Sequence, residues 1–537
     1  MKIEDCRLLI ADLLVIGGLV AGAACSAPPA PADQPRDAGP RVDVVELSAV
    51  DARDRMAKGE LTSEALTQAY LRRIADVDDG GPMLGAVIEI NPSAEDDARA
   101  LDAERKAGKV RGPMHGIPVL IKDNVDIAGM VNSAGSLALA DHKPKADAFF
   151  VSRLRDAGAV ILGKTNLSEW ANFRSTRSSS GWSSRGGQTK NPYVLDRNPC
   201  GSSSGTGTAI AASLAAVGVG TETDGSIICP ASVAGLVGFK PTVGLVSRSG
   251  IIPISISQDT AGPMTRTVAD AALLLGAMAG VDAADPAGAA AEAKIPDYTT
   301  FLKPDAVKGR RFGIVRQAGG YHPDVDAGLE TAIAALRKAG AEVIDVKIPT
   351  YNDWNDAEFT LLLYEFKDGL NSYLKNSGAP HASLEALIAW NKANADRVMP
   401  IFGQEIFEQA QAKGGLTDAA YVKARGDARR LAGRDGLVAT LDRGKLDALL
   451  APSMSPAWPT DHVLGDHFVG AGYGMAAVAG TPSITIPIGD SHGLPIGVTF
   501  MGRAYSEGEL LGFGYALEQL TKARKAPGFR PTLSAAP

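Results

Sequence analysis

The sequence predicts an α/β fold, because apolar runs of strand length alternate with segments of helical periodicity. The clearest case is 312–346, where an apolar run, a helix and a second apolar run follow one another. The apolar face of that helix has four residues at helical spacing: Val325, Leu329, Ile333 and Leu336. Gly340 then ends the helix before the run AEVIDV. Short connections that contain glycine are typical of this fold class.

Other segments extend the same pattern along the chain. A helix is predicted near the start of the folded region from Leu66, Tyr70 and Ile74, which recur every fourth residue behind Thr62 and Ser63. Apolar runs predict strands at 117–121, 160–162, 312–315 and 446–451. We find no internal repeat and no second Pro-rich linker, so residues 42–537 are most simply one domain. A helix-rich insertion near 351–440 is expected to form a cap.

Composition excludes several classes of protein. The 537 residues are 45% apolar and 21% charged, which excludes a disordered chain, and the 60 glycines do not recur at every third position as in collagen. The net charge is −7, so no basic surface is expected to recruit nucleic acid or an anionic membrane. Four cysteines are too few for a disulfide framework.

The N-terminal 25 residues are predicted to be a signal peptide. An apolar run at 8–20 follows Lys2 and Arg7 and is too short for a membrane span. It leads into AGAAC, which resembles a bacterial lipoprotein cleavage site at which Cys25 would be acylated and tether the protein to a membrane. Acidic residues within the run and before it leave an alternative open, a misassigned start codon or an amphipathic helix.

The next segment, 26–41, is rich in proline and alanine without periodicity and is predicted to be an extended linker. Export followed by a tether predicts a periplasmic or cell-envelope location. A misassigned N-terminus would instead predict a cytoplasmic one.

Three segments within 110–265 carry residue types suited to catalysis. In GIPVLIKDN, an apolar strand ends at Lys122, where burial would lower the pKa of the amine and make it a general base. The alternative is that Lys122 reaches solvent or pairs with Asp123. In NPCGSSSGTGT, small residues allow a sharp turn, although a flexible loop has the same composition. In GTETDGSIICPA, the N–H groups from Thr223 to Ser226 could form an anion-binding nest, the alternative being a plain turn.

Competing motifs fit the sequence less well. The glycine cluster lacks the lysine of a Walker loop and the third glycine of a dinucleotide fingerprint. GSSSG matches the nucleophile elbow of an α/β-hydrolase with Ser203 as nucleophile, but Pro199 stands where a strand should precede it. The SxxK at 372–375 lacks its KTG partner. None of the seven histidines offers a convincing base, and His115 in GPMHGIP is expected to be structural.

Together the three segments resemble the amidase signature family. That family usually has GGSSGG, then a helix, then GGSI and a proline, and this chain has CGSSSGT and TDGSIICP in that arrangement. The resemblance continues through GLVGFKPTVGLVSRSGIIPISISQDTAGPM and AGTPSITIPIG, so that it covers most of 45–530. Within the family, NLSEWANFRSTRSSSGWSSRGGQTKNPY looks most like bacterial peptide amidases.

The resemblance implies a large domain with a central mixed, twisted sheet surrounded by helices. It also implies roles for individual residues: Ser226 as nucleophile, Ser202 after a cis peptide bond as the bridging serine, Lys122 as base, Ser203 in support, and the N–H groups of Thr223, Asp224, Gly225 and Ser226 as the oxyanion hole. The expected activity is hydrolysis of a carboxamide to a carboxylic acid and ammonia through an acyl-enzyme, on C-terminal peptide amides. The expected protein is a monomeric serine amidase without cofactor or metal.

The chain departs from the family pattern at three positions. Ser204 replaces a usual glycine, and Asp224 replaces the first glycine of the GGS turn. Many relatives that bind a substrate carboxylate have an arginine at the position of Ile228, where it would form a bidentate contact. Its absence argues against the glutamine-handling subunit of the tRNA amidotransferase and favours a larger, less charged acyl group such as a peptide.

Three alternatives remain beside the serine amidase. The first is a glutamine amidotransferase-type subunit that supplies ammonia to a partner. The second is a noncatalytic binding relative of the family. The third is a histidine-based esterase that uses Ser203. The acyl-enzyme would also form from esters, so the sequence leaves the preference between esters and amides open.

Overall fold

An eleven-stranded mixed sheet runs through the centre of the described chain. The structure is a computed structural model that describes residues 42–288 and 295–533. The strands are β1 Val87–Ile90, β2 Pro118–Lys122, β3 Val160–Thr165, β4 Trp182–Ser183, β5 Gly187–Gln188, β6 Val217–Glu222, β7 Val237–Lys240, β8 Thr260–Thr265, β9 Arg311–Val315, β10 Glu342–Val346, β11 Ala448–Pro452, β12 Ser483–Ser491 and β13 Leu494–Met501. β4 and β5 form a separate hairpin, and the signal-peptide and linker predictions fall outside the described residues.

The spatial order of the sheet is β1-β3-β2-β6-β8-β7-β12-β13-β11-β9-β10. Parallel pairing occurs in two blocks, β3-β2-β6 and β11-β9-β10, and the remaining neighbours are antiparallel. Nearly every residue of β2, β3, β6 and β13 is buried, as expected for strands covered on both faces. The mixed sheet surrounded by helices that the sequence predicted is confirmed.

Helices cover both faces of this sheet. They are α1 Ala49–Ala57, α2 Ser63–Arg73, α3 Ala94–Lys106, α4 Phe149–Asp156, α5 Ser204–Ala211, α6 Ile228–Val233, α7 Val268–Met278, α8 Pro323–Lys338, α9 Asn355–Ser377, α10 Leu384–Ala393, α11 Ala395–Val398, α12 Glu405–Gln411, α13 Ala419–Ala428, α14 Ala439–Gly444, α15 Gly474–Ala479 and α16 Glu507–Thr521. Within the described ranges, no helix has both the length and the apolar character needed to cross a membrane.

The predicted early helix differs from the structure at its end. Thr62 caps α2 by accepting a hydrogen bond from the N–H of Ala65 at 3.1 Å. The α-helix ends at Arg73, and Ile74 begins a π-helical turn rather than continuing the helix. The turn keeps Ile74 buried and places the Asp78 carboxylate against backbone N–H groups of the following segment. Those hydrogen bonds explain the wider turn, because they satisfy a buried carboxylate.

Parallel pairing places two catalytic candidates at one edge of the sheet. β2 and β6 pair in parallel with Val119 opposite Val217, so their carboxyl ends lie side by side. β2 ends at Lys122, and β6 leads into the segment 223–226. The predicted cap, 351–440, is helical as expected, and α9 carries Leu362 and Glu358 toward this edge. The fold therefore gathers distant parts of the chain where strands end, the usual location of α/β active sites.

Candidate active site

Lys122 ends β2 inside the protein, with its side chain fully buried. Its Nζ lies 2.8 Å from Ser202 Oγ, 2.9 Å from Thr221 Oγ1 and 3.3 Å from Thr221 O. Burial lowers the pKa of the Lys122 amine to about 7, although the negative charges of Glu222 and Asp259 act in the opposite direction. A substantial fraction of the amine is therefore neutral near pH 7.

The three oxygens around Nζ match the hydrogen-bonding capacity of a neutral amine. A neutral amine has two N–H groups and one lone pair. The two Thr221 oxygens can accept the two N–H groups, which leaves the lone pair to accept the hydroxyl proton of Ser202. Asn124 Nδ2 donates to Thr221 Oγ1 at 3.0 Å and fixes the threonine. The arrangement can therefore move a proton from Ser202 to Lys122.

Asp123 has other partners than its neighbour Lys122. Its Oδ1 lies 3.1 Å from Lys164 Nζ, and its Oδ2 lies 3.1 Å from Arg185 Nη1. Lys122 therefore neither pairs with Asp123 nor reaches solvent, and the alternative stated from the sequence does not hold.

Ser202 lies in a tight turn whose preceding peptide bond, Gly201–Ser202, is cis. The turn has no room for a side chain at Gly201, because an added Cβ would lie 2.2 Å from Ser168 Oγ. The Ser204 hydroxyl donates to Cys200 O at 2.6 Å, so the serine that replaces a family glycine closes the turn. Ser202 is consequently held facing Lys122.

Ser203 is buried and hydrogen-bonded rather than exposed as a nucleophile. Its Oγ donates to Thr221 O at 3.0 Å, and its N–H donates to Ser226 O at 3.2 Å. It thus connects β6, the Ser202 turn and the Ser226 turn. In the described structure no histidine lines the cavities around these serines, so the esterase alternative lacks a base.

Ser226 lies in a turn at the start of α6. Gly225 before it has φ +76°, which a glycine adopts without strain. The Glu222 carboxylate accepts hydrogen bonds from the N–H groups of Ile227 and Ile228 at 2.7 and 3.0 Å. Burial raises the pKa of Glu222, and the positive charge of Lys240 together with these N–H groups partly opposes the rise. Ile228 itself is fully buried. Glu222 therefore fixes the turn through its backbone, while Ser226 borders the neighbouring cavity.

A disulfide between Cys200 and Cys229 joins the two serine turns, with a Cα–Cα distance of 6.1 Å. Cys200 lies two residues before Ser202, and Cys229 lies three residues after Ser226. Counting cysteines did not predict this bridge. The signal was their placement, because each cysteine lies beside one of the serines that the family resemblance selects.

Ser226 borders a cavity of about 280 Å³. Apolar and aromatic side chains from several elements contribute to its wall: Phe173, Ile254, Leu362, Trp458, Phe468 and Tyr473. A narrow recess next to it is lined by Ser202, Ser226, Asn124 and Thr221 among others. Sequence reasoning missed the apolar wall, because its members come from distant segments with no shared motif.

The backbone around this cavity contains several strained residues. Trp170, Ala171, Asn172 and Cys200 all have φ between +53° and +67°, and the last three line the cavity. Non-glycine residues in this conformation are uncommon and concentrate at functional sites.

Thr223 is held from two sides. Its Oγ1 donates to Asp259 Oδ1 at 2.6 Å, and its carbonyl accepts from Gln258 Nε2 at 3.2 Å. Burial raises the pKa of Asp259 to about 6. Gln258 also donates to Glu358 Oε1 on α9 at 2.8 Å, which links this turn to the cap. The sequence indicated neither Gln258 nor Asp259 as part of the site.

The chemistry available here is that of serine hydroxyls and an amine. Among the residues the structure describes, no group of three or more His, Cys, Asp or Glu side chains is placed to hold a metal ion.

Comparison with known proteins agrees with this geometry. The model of the Amidase family matches residues 65–511. A probable amidase of Arabidopsis thaliana is 40% identical over 499 residues, covering 90% of this chain and 92% of the relative. The native peptide amidase of Stenotrophomonas maltophilia superposes with a TM-score of 0.87 and 54% identity, covering 90% of this chain and 99% of that one. A glutamyl-tRNA(Gln) amidotransferase subunit from Moorella thermoacetica is 35% identical, covering 92% of this chain and 100% of the relative.

Replacing Gly225 with alanine is expected to damage both stability and activity. An added Cβ would lie 2.1 Å from Cε2 of Tyr473, and the left-handed backbone costs a further 1–2 kcal/mol or so. Gly59→Ala is the matched control, because Gly59 has φ +72° and open space around it. Thermal unfolding should show a larger loss for Gly225→Ala than for Gly59→Ala, and only the former should lose amidase activity. Equal losses of stability with full activity would contradict the steric account.

Proposed function

This chain belongs to the amidase family, and from that membership we propose that it hydrolyses the C-terminal carboxamide of peptides to a carboxylic acid and ammonia. Membership makes it a hydrolase of linear amides. The observation that carries the mechanism is the 2.8 Å contact between Ser202 Oγ and the buried Nζ of Lys122. It supplies a base for serine chemistry without histidine.

The first half of the proposed reaction forms an acyl-enzyme. The Ser226 hydroxyl attacks the carboxamide carbon as its proton passes to Ser202 Oγ, while the Ser202 proton passes to the lone pair of Lys122. A tetrahedral oxyanion results. It is stabilised by backbone N–H groups of the turn formed by Thr223, Asp224, Gly225 and Ser226, and removing one such donor typically costs about 2.7–4 kcal/mol.

The second half releases both products. The Lys122 ammonium returns a proton through Ser202 to the leaving nitrogen, the C–N bond breaks, and ammonia departs. A water molecule then attacks the acyl-enzyme carbonyl and gives its proton to the same relay. The carboxylic acid leaves as Ser226 recovers its proton. Since Lys122 begins and ends neutral, the cycle needs no other base.

The cavity that Ser226 borders supports a peptide substrate. Its wall is rich in aromatic and branched apolar side chains, as is typical of ligand sites. Ile228 is buried and apolar where an arginine would bind a small carboxylate. The similar enzyme from Stenotrophomonas maltophilia is a peptide amidase.

An ammonia-supplying component of a larger complex is the second candidate, favoured by the 35% identical amidotransferase relative. The two candidates differ in what the isolated chain can do. An independent amidase turns over amides alone, whereas a dependent component requires its partner.

We expect the purified chain to release ammonia from C-terminally amidated peptides, measured beside short aliphatic and aryl amides. Ser226→Ala and Lys122→Ala should each lower kcat/KM by about a thousandfold or more, because either change interrupts the relay. The exposed Lys375→Ala is the matched control and should retain activity, as should Ser372→Ala in the discarded SxxK motif.

Each result of that panel leads to a different conclusion. Turnover of small amides alone would keep the mechanism and contradict the peptide substrate. If the folded enzyme releases no ammonia from any amide of the panel, the partner-dependent or noncatalytic alternatives would be favoured. Full activity of Lys122→Ala would contradict the relay.

We also propose export to the periplasm or cell envelope, tethered through an acylated Cys25, with a monomeric catalytic domain. The Cys200–Cys229 disulfide supports export, because disulfides persist mainly in oxidising compartments.

Cell fractionation tests this proposal. The full-length protein should sediment with membranes, and Cys25→Ser should move it to the soluble fraction. Cys6→Ser is the control and should leave it with the membranes. Recovery of the unprocessed chain from the cytosol would contradict export.

A further inference from the structure

A second cavity adjoins the cavity over Ser226. It measures about 460 Å³ and shares three residues with the reaction cavity: Asp224, Phe468 and Tyr473. Since Asp224 lies two residues before Ser226, the second cavity begins immediately beside the nucleophile. The mechanism above uses only the backbone of Asp224 and leaves both its side chain and this cavity without a role.

Five aromatic residues contribute to the wall of the second cavity. Tyr321, Tyr351 and Trp354 line it together with the two shared aromatic residues, and the rings of Tyr351 and Trp354 meet edge to face at 5.9 Å. Over the described residues, neither cavity is lined by a lysine, arginine or histidine. Aromatic faces attract cations, and a cavity without positive charge does not repel them.

Asp224 supplies a carboxylate between the two cavities. Its side chain is solvent-accessible there, and it forms no ion pair with any described lysine or arginine. Desolvation, together with the nearby charges of Glu358 and Glu222, raises its pKa well above the usual value, although the buried Lys240 acts in the opposite direction. An entering cation would relieve this repulsion and stabilise the ionised carboxylate.

The charges beside Ser226 are the opposite of those expected in an enzyme that binds a substrate carboxylate. An arginine at the position of Ile228 would attract a negative group, but Ile228 is buried and apolar. The family glycine before the Gly-Ser pair is instead Asp224. Within two residues of Ser226 on either side, the chain therefore has one carboxylate, that of Asp224, and no cation.

We propose that the second cavity binds a lysine or arginine side chain of the peptide amide, with Asp224 as its ion-pair partner. We call it the cationic subsite, and it rests on the proposed peptide amidase function. The C-terminal residue places its carbonyl at Ser226, and the preceding residue follows only about 3.8 Å further along the chain. Its long side chain reaches past Asp224 into the aromatic wall.

The test compares two substrates that differ only in charge, N-acetyl-Lys-Phe-NH2 and N-acetyl-norleucine-Phe-NH2. The wild type should show a kcat/KM about fivefold higher for the lysine peptide, because the ion pair and the rings act on one cation. Asp224→Asn should bring the ratio close to one, and Tyr351→Leu should lower it. Asp356→Asn, an exposed acid on α9, is the matched control and should keep the wild-type ratio.

The readout is the ratio of kcat/KM for the lysine peptide to that for the norleucine peptide. Asp224 belongs to the turn 223–226 that forms the proposed oxyanion hole, so its replacement can lower turnover of both peptides. A wild-type ratio near one with good turnover would overturn the cationic subsite and leave the amidase proposal intact. A ratio preserved in Asp224→Asn would also overturn it.

Binding provides a readout that does not depend on turnover. Calorimetry on Ser226→Ala should show the lysine peptide binding about fivefold more tightly than the norleucine peptide. Adding Asp224→Asn should remove the difference. Equal affinities in Ser226→Ala would overturn the cationic subsite, whereas a difference without turnover by the wild type would count against the amidase proposal alone.

Discussion

The burial of the Lys122 amine without a counter-ion is the constraint on which the site depends. A charged ammonium in that position would lack the compensation that water or a carboxylate provides, so the protein favours the neutral amine. Only the neutral form has a lone pair to accept the Ser202 proton. The neighbouring ion pair of Asp123 with Lys164 shows the opposite solution, in which a buried lysine has a carboxylate partner. The two buried lysines therefore differ in their partners: Lys122 contacts hydroxyl and carbonyl oxygens, whereas Lys164 contacts a carboxylate.

The rest of the site holds the turns that contain Ser202 and Ser226 in fixed positions relative to that amine. Three links act on them: the Cys200–Cys229 disulfide, the hydrogen bond from the Ser203 N–H to Ser226 O, and the Glu222 carboxylate under the N-terminus of α6. Proton transfer between hydroxyl groups requires short and stable distances. Rigid links between the two turns are therefore a requirement of this chemistry. The composition alone would equally allow flexible glycine-rich loops, but such loops would not keep the serine hydroxyl groups at a fixed distance.

Sequence reasoning reached the chemistry of the site more readily than its substrate cavity. Lys122 at the end of an apolar strand, and the two serine turns, stand out because small, polar or charged residues interrupt apolar runs. Thr221 did not stand out, since a threonine within a strand is common, and its role depends on two oxygens facing one amine. Leu362 on α9 and Trp458 reach the cavity from distant segments, so only tertiary packing reveals them. The π-helical turn at Ile74 was likewise set by a contact of Asp78 with a later segment.

The most direct test is an NMR titration of Lys122 itself. The protein would carry ¹³Cε- and ¹⁵Nζ-labelled lysine in the Ser226→Ala background, and the signal would be assigned by its absence in Lys122→Met. Since burial lowers the pKa, the amine should be the neutral form above about pH 7 and the ammonium below it, with a midpoint near 7. A Lys122 signal that stays that of an ammonium to pH 9 or beyond would contradict the neutral-base account.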